Sequence, residues 1–158
     1  MSIKVLFVCL GNICRSPMAE AIFRNKVEKA GLSDQIEIDS AGIGHWHIGK
    51  LPHEGTKNIL RKNNISYENI TARQLGKDDN GFYSYIIAMD NANMKELETS
   101  MSNNDGFTGK LLDFHPDLKG KDVPDPYFTG NFDEVYDMIQ TSCTYFLNWL
   151  QKRENVWK

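Results

Sequence analysis

The feature that most constrains the fold is an apolar run near the start of the chain, followed at once by a helical pattern. Residues 3–8 read I-K-V-L-F-V, which is typical of a central parallel strand buried on both faces. After a short loop, Ser16 is suited to act as a helix N-cap and Pro17 as the first helical residue. Apolar residues then recur at helical spacing until Gly31. The sequence therefore predicts a strand, a loop and a helix in succession.

The remainder of the chain alternates strand and helix patterns in the same way. Residues 35–40 alternate apolar and polar side chains, as an edge strand does, and the stripe from Phe132 to Leu150 is typical of a long amphipathic helix. Alternating elements with right-handed crossovers predict an α/β fold, a single domain over residues 1–158 with a doubly wound parallel sheet that binds ligands at the carboxyl ends of its strands. Further strands are predicted at 85–89 and 110–112, and further helices at 54–62 and 91–98.

Charge and hydropathy limit the partners and the location. The chain has 158 residues, with 18 basic and 21 acidic side chains and a net charge of −3, so it lacks the basic field that nucleic-acid binding normally uses. No apolar run approaches the roughly 20 residues that span a bilayer, and the start lacks the cleavage site of a signal peptide. We expect a soluble, cytoplasmic protein that binds neither nucleic acid nor a membrane.

The cysteines and histidines argue against structural disulfides and metal sites. Cys9, Cys14 and Cys143 form an odd set without a C-x-x-C pair. His45 and His47 have no Cys, Asp or Glu at a familiar ligand spacing. We therefore expect no metal and no cofactor, and we expect any cysteine chemistry to be thiol chemistry. Cys143 lies on the apolar stripe of the last helix, where a packing role is expected.

The loop after the first strand is predicted to bind an anion. Arg15 stands six residues after Cys9, directly before the predicted helix. If this loop curls around a tetrahedral anion, its N–H groups point inward, Gly11 and Asn12 tolerate left-handed geometry, and the helix adds its positive end. The backbone dipoles, Arg15 and a hydrogen bond from Ser16 then favour a Cys9 thiolate. We predict Cys9 as a nucleophile and Arg15 as a two-pronged phosphoryl clamp.

A carboxylic acid for the leaving group is predicted in the segment 123–127, V-P-D-P-Y. A thiolate that attacks a phosphate ester needs a proton donor near the departing oxygen. The two prolines stiffen this segment, and Pro126 forces Asp125 into an extended conformation. Asp125 is therefore the candidate acid.

The sequence C-L-G-N-I-C-R-S-P after a first strand, with D-P-Y far downstream, resembles the low-molecular-weight protein-tyrosine phosphatases over nearly the whole chain. This resemblance implies a small four-stranded parallel sheet of flavodoxin-like type. It also implies hydrolysis of phosphotyrosine in proteins through a cysteinyl-phosphate intermediate, without a metal ion. By this resemblance Cys9 is the nucleophile, Arg15 binds phosphate, and Asp125 is first an acid and then a base.

The resemblance also implies a phosphate loop and a substrate slot. Asn12, Ser16 and Ser40 are similar to the polar residues that hold the loop in that family. Trp46 and Tyr127 resemble the aromatic walls of its slot, to which Ile13 contributes. The implied phosphate-binding residues are Leu10, Gly11, Asn12, Ile13, Cys14, Arg15 and Ser16.

Two positions depart from the family pattern. A histidine that commonly precedes A-R-Q and steadies the loop asparagine is absent, because Ile70 and Thr71 stand there, so another group must support Asn12. The frequent D-P-Y-Y is D-P-Y-F, so Phe128 replaces a tyrosine that could be phosphorylated.

Three alternative functions stay open from the sequence. A protein-arginine phosphatase of the same fold typically has threonine where Ile13 stands, and an apolar residue there disfavours a phosphoguanidinium. A thiol-dependent arsenate reductase needs further cysteines, and none lies between Cys14 and Cys143. A catalytically silent phosphate-binding or redox module is disfavoured because both Cys9 and Asp125 are retained.

Cys14 is a candidate redox guard for Cys9. A loop curled around phosphate brings these two residues towards the Cα separation of about 4.4 to 6.8 Å that a disulfide requires. A reactive Cys9 is also exposed to peroxide, and Cys14 is then able to capture its sulfenic acid as a disulfide. The alternative is that Cys14 is a packing thiol.

Overall fold

Four parallel strands form the centre of the fold in the computed structural model, which describes residues 2–157. The strands are β1 (Ile3–Cys9), β2 (Ile36–Gly42), β3 (Tyr85–Ala88) and β4 (Phe107–Lys110). Their order in the sheet is β2-β1-β3-β4, and every neighbouring pair is parallel. The predicted central position of β1 and edge position of β2 are therefore confirmed.

The helices cover both faces of this sheet. They are α1 (Arg15–Lys29), α2 (Glu54–Lys62), α3 (Asn91–Ser100), α4 (Pro126–Thr129) and α5 (Phe132–Glu154). Buried residues of α1, α2 and α5 form one core with the β1 side chains that alternate from Ile3 to Cys9. The intervening β1 side chains face the other side, where Leu97 of α3 joins a second core. The predicted doubly wound α/β fold is confirmed, and α2 has the bounds that the sequence predicts.

The predicted position of the fourth strand is wrong. The strand is β4, Phe107–Lys110, and the residues after it form a short 3₁₀ helix, Leu111–Phe114. Leu111 and Leu112 are fully buried in the core beside α5, which explains why an apolar signal stands there without a strand. A short apolar run reports burial, and it does not distinguish a strand from a turn that packs into the core.

The Ser-Pro pair predicts Ser16 as the N-cap of α1, and this prediction is wrong. The helix begins at Arg15, two residues before the predicted start at Pro17, and Cys14 occupies the capping position without a side-chain hydrogen bond to the helix. The Ser16 hydroxyl lies instead between Asn12 Nδ2 and Cys9 Sγ. Its side chain therefore contacts the loop that precedes the helix.

Candidate active site

The segment between β1 and α1 closes into a cradle around the Cys9 side chain. Asn12 has a left-handed backbone with φ of 54°. Its N–H group points back at Cys9 Sγ over 3.3 Å, and Ser16 Oγ lies 2.9 Å from the same sulfur. A backbone donor and a hydroxyl thus converge on a buried thiol at the carboxyl end of the central strand.

Gly11 does not have the left-handed backbone expected of it, since Asn12 alone provides the positive φ in this loop. The space around position 11 gives a better reason than backbone conformation for the presence of a glycine there. A Cβ atom there would lie 3.2 Å from His47 Cδ2, so the glycine lets a side chain from the β2–α2 connection approach the loop.

Gly42, at the end of β2, supports the cradle from behind. A Cβ atom at this position would lie 2.9 Å from both Asn12 N and the carbonyl carbon of Gly11. The backbone beyond Gly42 also donates to the loop, from Ile43 N to Cys9 O at 3.0 Å and from Gly44 N to Leu10 O at 2.8 Å. Because Gly42 has no side chain, the two backbone segments can approach closely enough to form these bonds.

The Asn12 side chain is held on three sides. Its Nδ2 donates to Ser16 Oγ at 2.8 Å and to Ser40 Oγ at 2.9 Å, and its Oδ1 accepts from the backbone N–H of Arg73 at 2.9 Å. The Arg73 amide is thus the group that supports Asn12 where the common histidine is absent. The Arg73 guanidinium is itself paired with Asp39 at 3.1 Å and with both oxygens of Asp79, which fixes this backbone segment.

Glu20 is a buried carboxyl group in this network that sequence reasoning missed. It is 7% exposed, and its Oε1 accepts from Ser40 Oγ at 2.6 Å. Burial raises the pKa of Glu20 to about 7, while the Ser40 hydrogen bond acts in the opposite direction. The signal in the sequence is that this glutamate stands among apolar residues on the inner face of α1.

Arg15 joins the loop to the distant parts of the chain. Its Nη1 donates to Asp90 Oδ2 at 2.7 Å and to the Val123 carbonyl at 2.9 Å, and its Nη2 lies 3.4 Å from Asp125 Oδ2. Burial by itself lowers the pKa of Arg15, but Cys9, Asp90 and Asp125 together raise it above its usual value. The guanidinium is therefore a fixed positive charge beside the loop.

Asp90 is a second functional candidate that sequence reasoning missed. It follows β3 at the same edge of the sheet as Cys9, and its Oδ1 accepts from Asn93 N at 2.8 Å as the N-cap of α3. Because its other oxygen holds Arg15, the residue that starts α3 also orients the guanidinium. An aspartate between an apolar strand and a helix is a recognisable N-cap signal, but the sequence does not reveal that this aspartate also binds Arg15.

Asp125 lies over the cradle as the N-cap of the short helix α4. Its backbone is extended, with φ of −87° and ψ of 107°, as Pro126 predicts. Its Oδ1 accepts from Tyr127 N at 3.1 Å, and its Oδ2 faces Arg15. The carboxyl group is partly exposed to the cavity above Cys9.

A cavity of about 410 Å³ unites these groups with the predicted slot residues. The Trp46 and Tyr127 rings are half-exposed on its rim, with Tyr127 about 6 Å from the His47 and His53 rings. Its size is within the range of small-ligand sites. The lining residues are Cys9, Leu10, Gly11, Ile13, Cys14, Arg15, Trp46, His47, Asp125, Tyr127 and Phe128.

The other two thiols differ from Cys9 in their surroundings. Cys14 is buried, and burial raises its pKa to about 12, with further contributions from Asp125 and Cys9. Cys143 is fully enclosed in the core, and burial raises its pKa to about 12 as well. Both are neutral thiols at pH 7, and all three cysteines are unpaired.

Two kinds of feature are absent from the part of the chain that the structure describes. Within residues 2–157, no group of three or more His, Cys, Asp or Glu side chains is arranged to hold a metal ion. In the same range, no helix combines the length and apolarity that crossing a membrane requires.

Comparisons with known proteins match the chain to one family. The family model described as low molecular weight phosphotyrosine protein phosphatase matches residues 4–156. The chain is 52% identical over 155 residues to the low molecular weight protein-tyrosine-phosphatase YfkJ of Bacillus subtilis, an alignment that covers 98% of this chain and 99% of that protein. The crystal structure of YfkJ matches with a TM-score of 0.93 over 97% of both chains.

Two further relatives extend the comparison. The chain is 44% identical over 154 residues to the low molecular weight protein-tyrosine-phosphatase PtpA of Staphylococcus epidermidis, covering 98% of this chain and 97% of that protein. The crystal structure of DARP, a drosophila arginine phosphatase, matches with a TM-score of 0.88 and 34% identity, over 94% of this chain and 98% of that one.

Proposed function

The chain belongs to the low molecular weight phosphotyrosine protein phosphatase family and is therefore a protein phosphatase, and on this premise we propose that it hydrolyses phosphotyrosine in proteins through a cysteinyl-phosphate intermediate. The observation that carries the proposal is the set of contacts around Cys9. The backbone N–H of Asn12 and the Ser16 hydroxyl both meet its sulfur, and Arg15 links the loop to the carboxyl group of Asp125 in the same cavity.

Substrate binding uses the loop as an anion cradle. The N–H groups of residues 10–15 and the start of α1 supply positive dipoles, and Arg15 binds two phosphoryl oxygens with its planar fork. The pairing of Arg15 with Asp90 at 2.7 Å holds this fork before substrate arrives. The proposed mechanism uses no metal ion, because these groups supply the positive charge that stabilises the phosphoryl oxygens.

The first chemical step is attack of the Cys9 thiolate on phosphorus. A sulfur–phosphorus bond forms while the bond from phosphorus to the tyrosine oxygen breaks, and Asp125 gives its proton to the departing oxygen. In the second step Asp125 takes a proton from water, the resulting oxygen nucleophile attacks phosphorus, and the sulfur–phosphorus bond breaks. Inorganic phosphate leaves, and Cys9 returns to the thiolate form.

The preference for tyrosine rests on the shape of the slot. The Trp46 and Tyr127 rings stand at the rim of the cavity, and Cys9 is buried at 3% exposure at its floor. Flat walls suit an aryl phosphate, whereas the shorter phosphoserine does not reach the sulfur. Hydrolysis of phosphotyrosine, phosphoserine and phosphoarginine peptides, measured side by side, tests the proposal. We expect the phosphotyrosine peptide to have the highest kcat/KM, and a preference for either of the others would refute it.

A second candidate activity, on phosphoarginine, is favoured by the likeness to the drosophila arginine phosphatase. Ile13 lines the cavity and offers no polar group to a guanidinium. We expect Ile13→Thr to raise the ratio of phosphoarginine to phosphotyrosine hydrolysis by about tenfold, because the hydroxyl supplies a partner for the extra N–H groups. Competition between the two peptides measures this ratio. A matched Ile13→Val variant, which keeps the position apolar, should leave it within about twofold, and an equal rise in both variants would contradict the role of the hydroxyl.

We further propose that Cys14 protects Cys9 from irreversible oxidation. Peroxide converts the Cys9 thiolate to a sulfenic acid, and Cys14 displaces water from it to form a disulfide that dithiothreitol reduces. Burial keeps Cys14 a neutral thiol at pH 7, so this capture is slower than attack by a free thiolate.

The Cys14 proposal predicts a difference in recovery. After peroxide treatment followed by dithiothreitol, we expect wild type to regain most of its activity and Cys14→Ser to regain much less. Peptide mapping should show a crosslink between Cys9 and Cys14 before reduction. Equal recovery in the two proteins would leave Cys14 as a packing residue.

This chemistry also supports the cytoplasm as the proposed site of action, because a reactive Cys9 needs a reducing compartment.

A further inference from the structure

We propose that Lys110 is a positioning residue that sets the direction from which the Asp125 carboxyl group meets the leaving oxygen. The proposal rests on the proposed function, in which Asp125 is the acid of the first step. Lys110 lies outside the lining of the catalytic cavity, so its effect on the reaction passes through the residues that lead to Asp125.

Lys110 differs from the other lysines in its burial. Within residues 2–157 it is the only buried lysine, at 6% exposure, whereas Lys121 nearby in the chain is exposed. It ends β4 opposite Ala88 of β3, which in turn pairs with Val8 of β1, directly before Cys9. Burial of an ammonium group is costly unless protein groups replace its lost water. The partners of Lys110 therefore show what this charge holds in place.

The Lys110 ammonium group binds the start of the acid segment, which we define as residues 120–125. Its Nζ donates to the Gly120 carbonyl at 2.9 Å and to Asp122 Oδ1 at 2.9 Å. The same Asp122 oxygen accepts from the backbone N–H of Asn91 at 3.0 Å, at the start of α3. One buried charge thus joins the acid segment to the end of β4, and Asp122 joins it to α3.

A second attachment of the acid segment lies at Val123. Its N–H donates to the Met89 carbonyl at 2.9 Å, and its carbonyl accepts from Arg15 Nη1 at 2.9 Å. These bonds fix the place of Val123, but a segment held at one residue is still able to rotate about it. Because Lys110 holds the residues just before Val123, it opposes that rotation.

The prolines carry the direction of the acid segment onward to Asp125. Pro124 and Pro126 restrict the backbone on both sides of Asp125, so a rotation at the preceding residues moves the carboxyl group as part of a stiff unit. The contact from Arg15 Nη2 to Asp125 Oδ2 is 3.4 Å, which is too long to hold the carboxyl group firmly. Proton transfer needs an approach of about 2.6 to 3.2 Å, so a small displacement of Asp125 is costly.

The test is Lys110→Met, assayed on two substrates. Methionine is apolar and of similar length, and water can reach the half-exposed Asp122, so the fold should persist. We expect kcat/KM on a phosphotyrosine peptide, which reports the steps up to departure of the tyrosine, to fall by about tenfold. The loss on nitrophenyl phosphate, whose leaving group departs without a proton, should stay below about threefold.

Inhibition by inorganic phosphate separates the acid from the phosphate site. It should change less than about twofold in Lys110→Met, because Arg15 keeps its 2.7 Å bond to Asp90 and Val123 keeps its bond to Met89. A role of Lys110 in general stability alone would instead affect both substrates equally.

Three further variants serve as controls. Lys121→Met makes the same chemical change at an exposed position in the acid segment and should match wild type within about twofold on both substrates. Lys110→Arg keeps the charge and the donors and should recover most of the loss. In an Asp125→Asn background, Lys110→Met should cause no further loss beyond about twofold, because both changes act on one proton transfer.

Each outcome decides for or against the proposal. Equal losses on the two substrates in folded Lys110→Met overturn it, as does a full additional loss in the Asp125→Asn background. If Lys110→Met does not fold, Asp122→Ala carries the test, and equal losses there overturn the proposal as well. Equal losses in Asp125→Asn itself would refute the acid role and this proposal together, whereas a selective loss in Asp125→Asn without one in Lys110→Met refutes only the role of Lys110.

Discussion

Replacing Cys9 by serine is expected to reduce phosphotyrosine hydrolysis by about 10⁴-fold or more while phosphate-analogue binding largely survives. The serine hydroxyl is a far weaker nucleophile than a thiolate, but it fits the same space at the end of β1. The loop donors that surround the sulfur and the Arg15 fork do not depend on the identity of this atom. Binding and chemistry should therefore separate cleanly in this variant.

Rapid quench of wild type during turnover is the direct measurement for Cys9. It should trap a phosphorylated cysteine, and digestion should locate the label in the peptide that contains residue 9. Cys143→Ala, a change at a buried thiol remote from the cavity, should keep activity within about twofold once folded. Steady-state activity in Cys9→Ser comparable to wild type would rule out the assignment.

Asp125→Asn is expected to slow hydrolysis of a phosphotyrosine peptide by about 10²-fold or more, with a much smaller loss on a nitrophenyl phosphate. Tyrosine leaves as a basic phenolate that needs a proton, whereas nitrophenolate departs without one. Asparagine keeps the size of the side chain, and its oxygen still accepts from Tyr127 N, so the start of α4 should persist. The loss should therefore lie in proton transfer.

The ratio of the two losses is the measurement that decides the role of Asp125. A plot of rate against leaving-group basicity should become steeper in Asp125→Asn than in wild type. Asp117→Asn, at an exposed position on the approach to the same segment, should leave the slope unchanged. Equal losses on both substrates would show that Asp125 acts through structure alone.

The fold was largely predictable because its strongest signals are local. The buried strand β1, the edge strand β2 and the bounds of α2 follow from side-chain periodicity and turn residues. The error at residues 110–112 also comes from dependence on local signals. Leu111 and Leu112 are as buried as strand residues, and nothing in their sequence indicates that the chain turns there.

Residues of the candidate site could be proposed from the sequence where one short segment carries them. Cys9, Arg15 and the loop between them stand within a single motif, and Asp125 is marked by its prolines. Contacts between distant segments were not predictable, because one sequence does not reveal which buried groups meet. Asp90 and Glu20 were missed for this reason, and the N-cap role expected of Ser16 was wrong because a Ser-Pro pair also fits a helix start.

The contacts of Arg15 also have a consequence for how the enzyme is made. The guanidinium is oriented by Asp90, by the Val123 carbonyl and by Asp125, the last of which lies 110 positions further along the chain. At about 5 to 20 residues per second, a ribosome needs about 5 to 20 seconds to synthesise that stretch. During this interval the nascent chain already contains Cys9 but does not yet contain all three groups that orient Arg15. Phosphatase activity should therefore begin only when synthesis is nearly complete, so that incomplete chains do not dephosphorylate proteins near the ribosome.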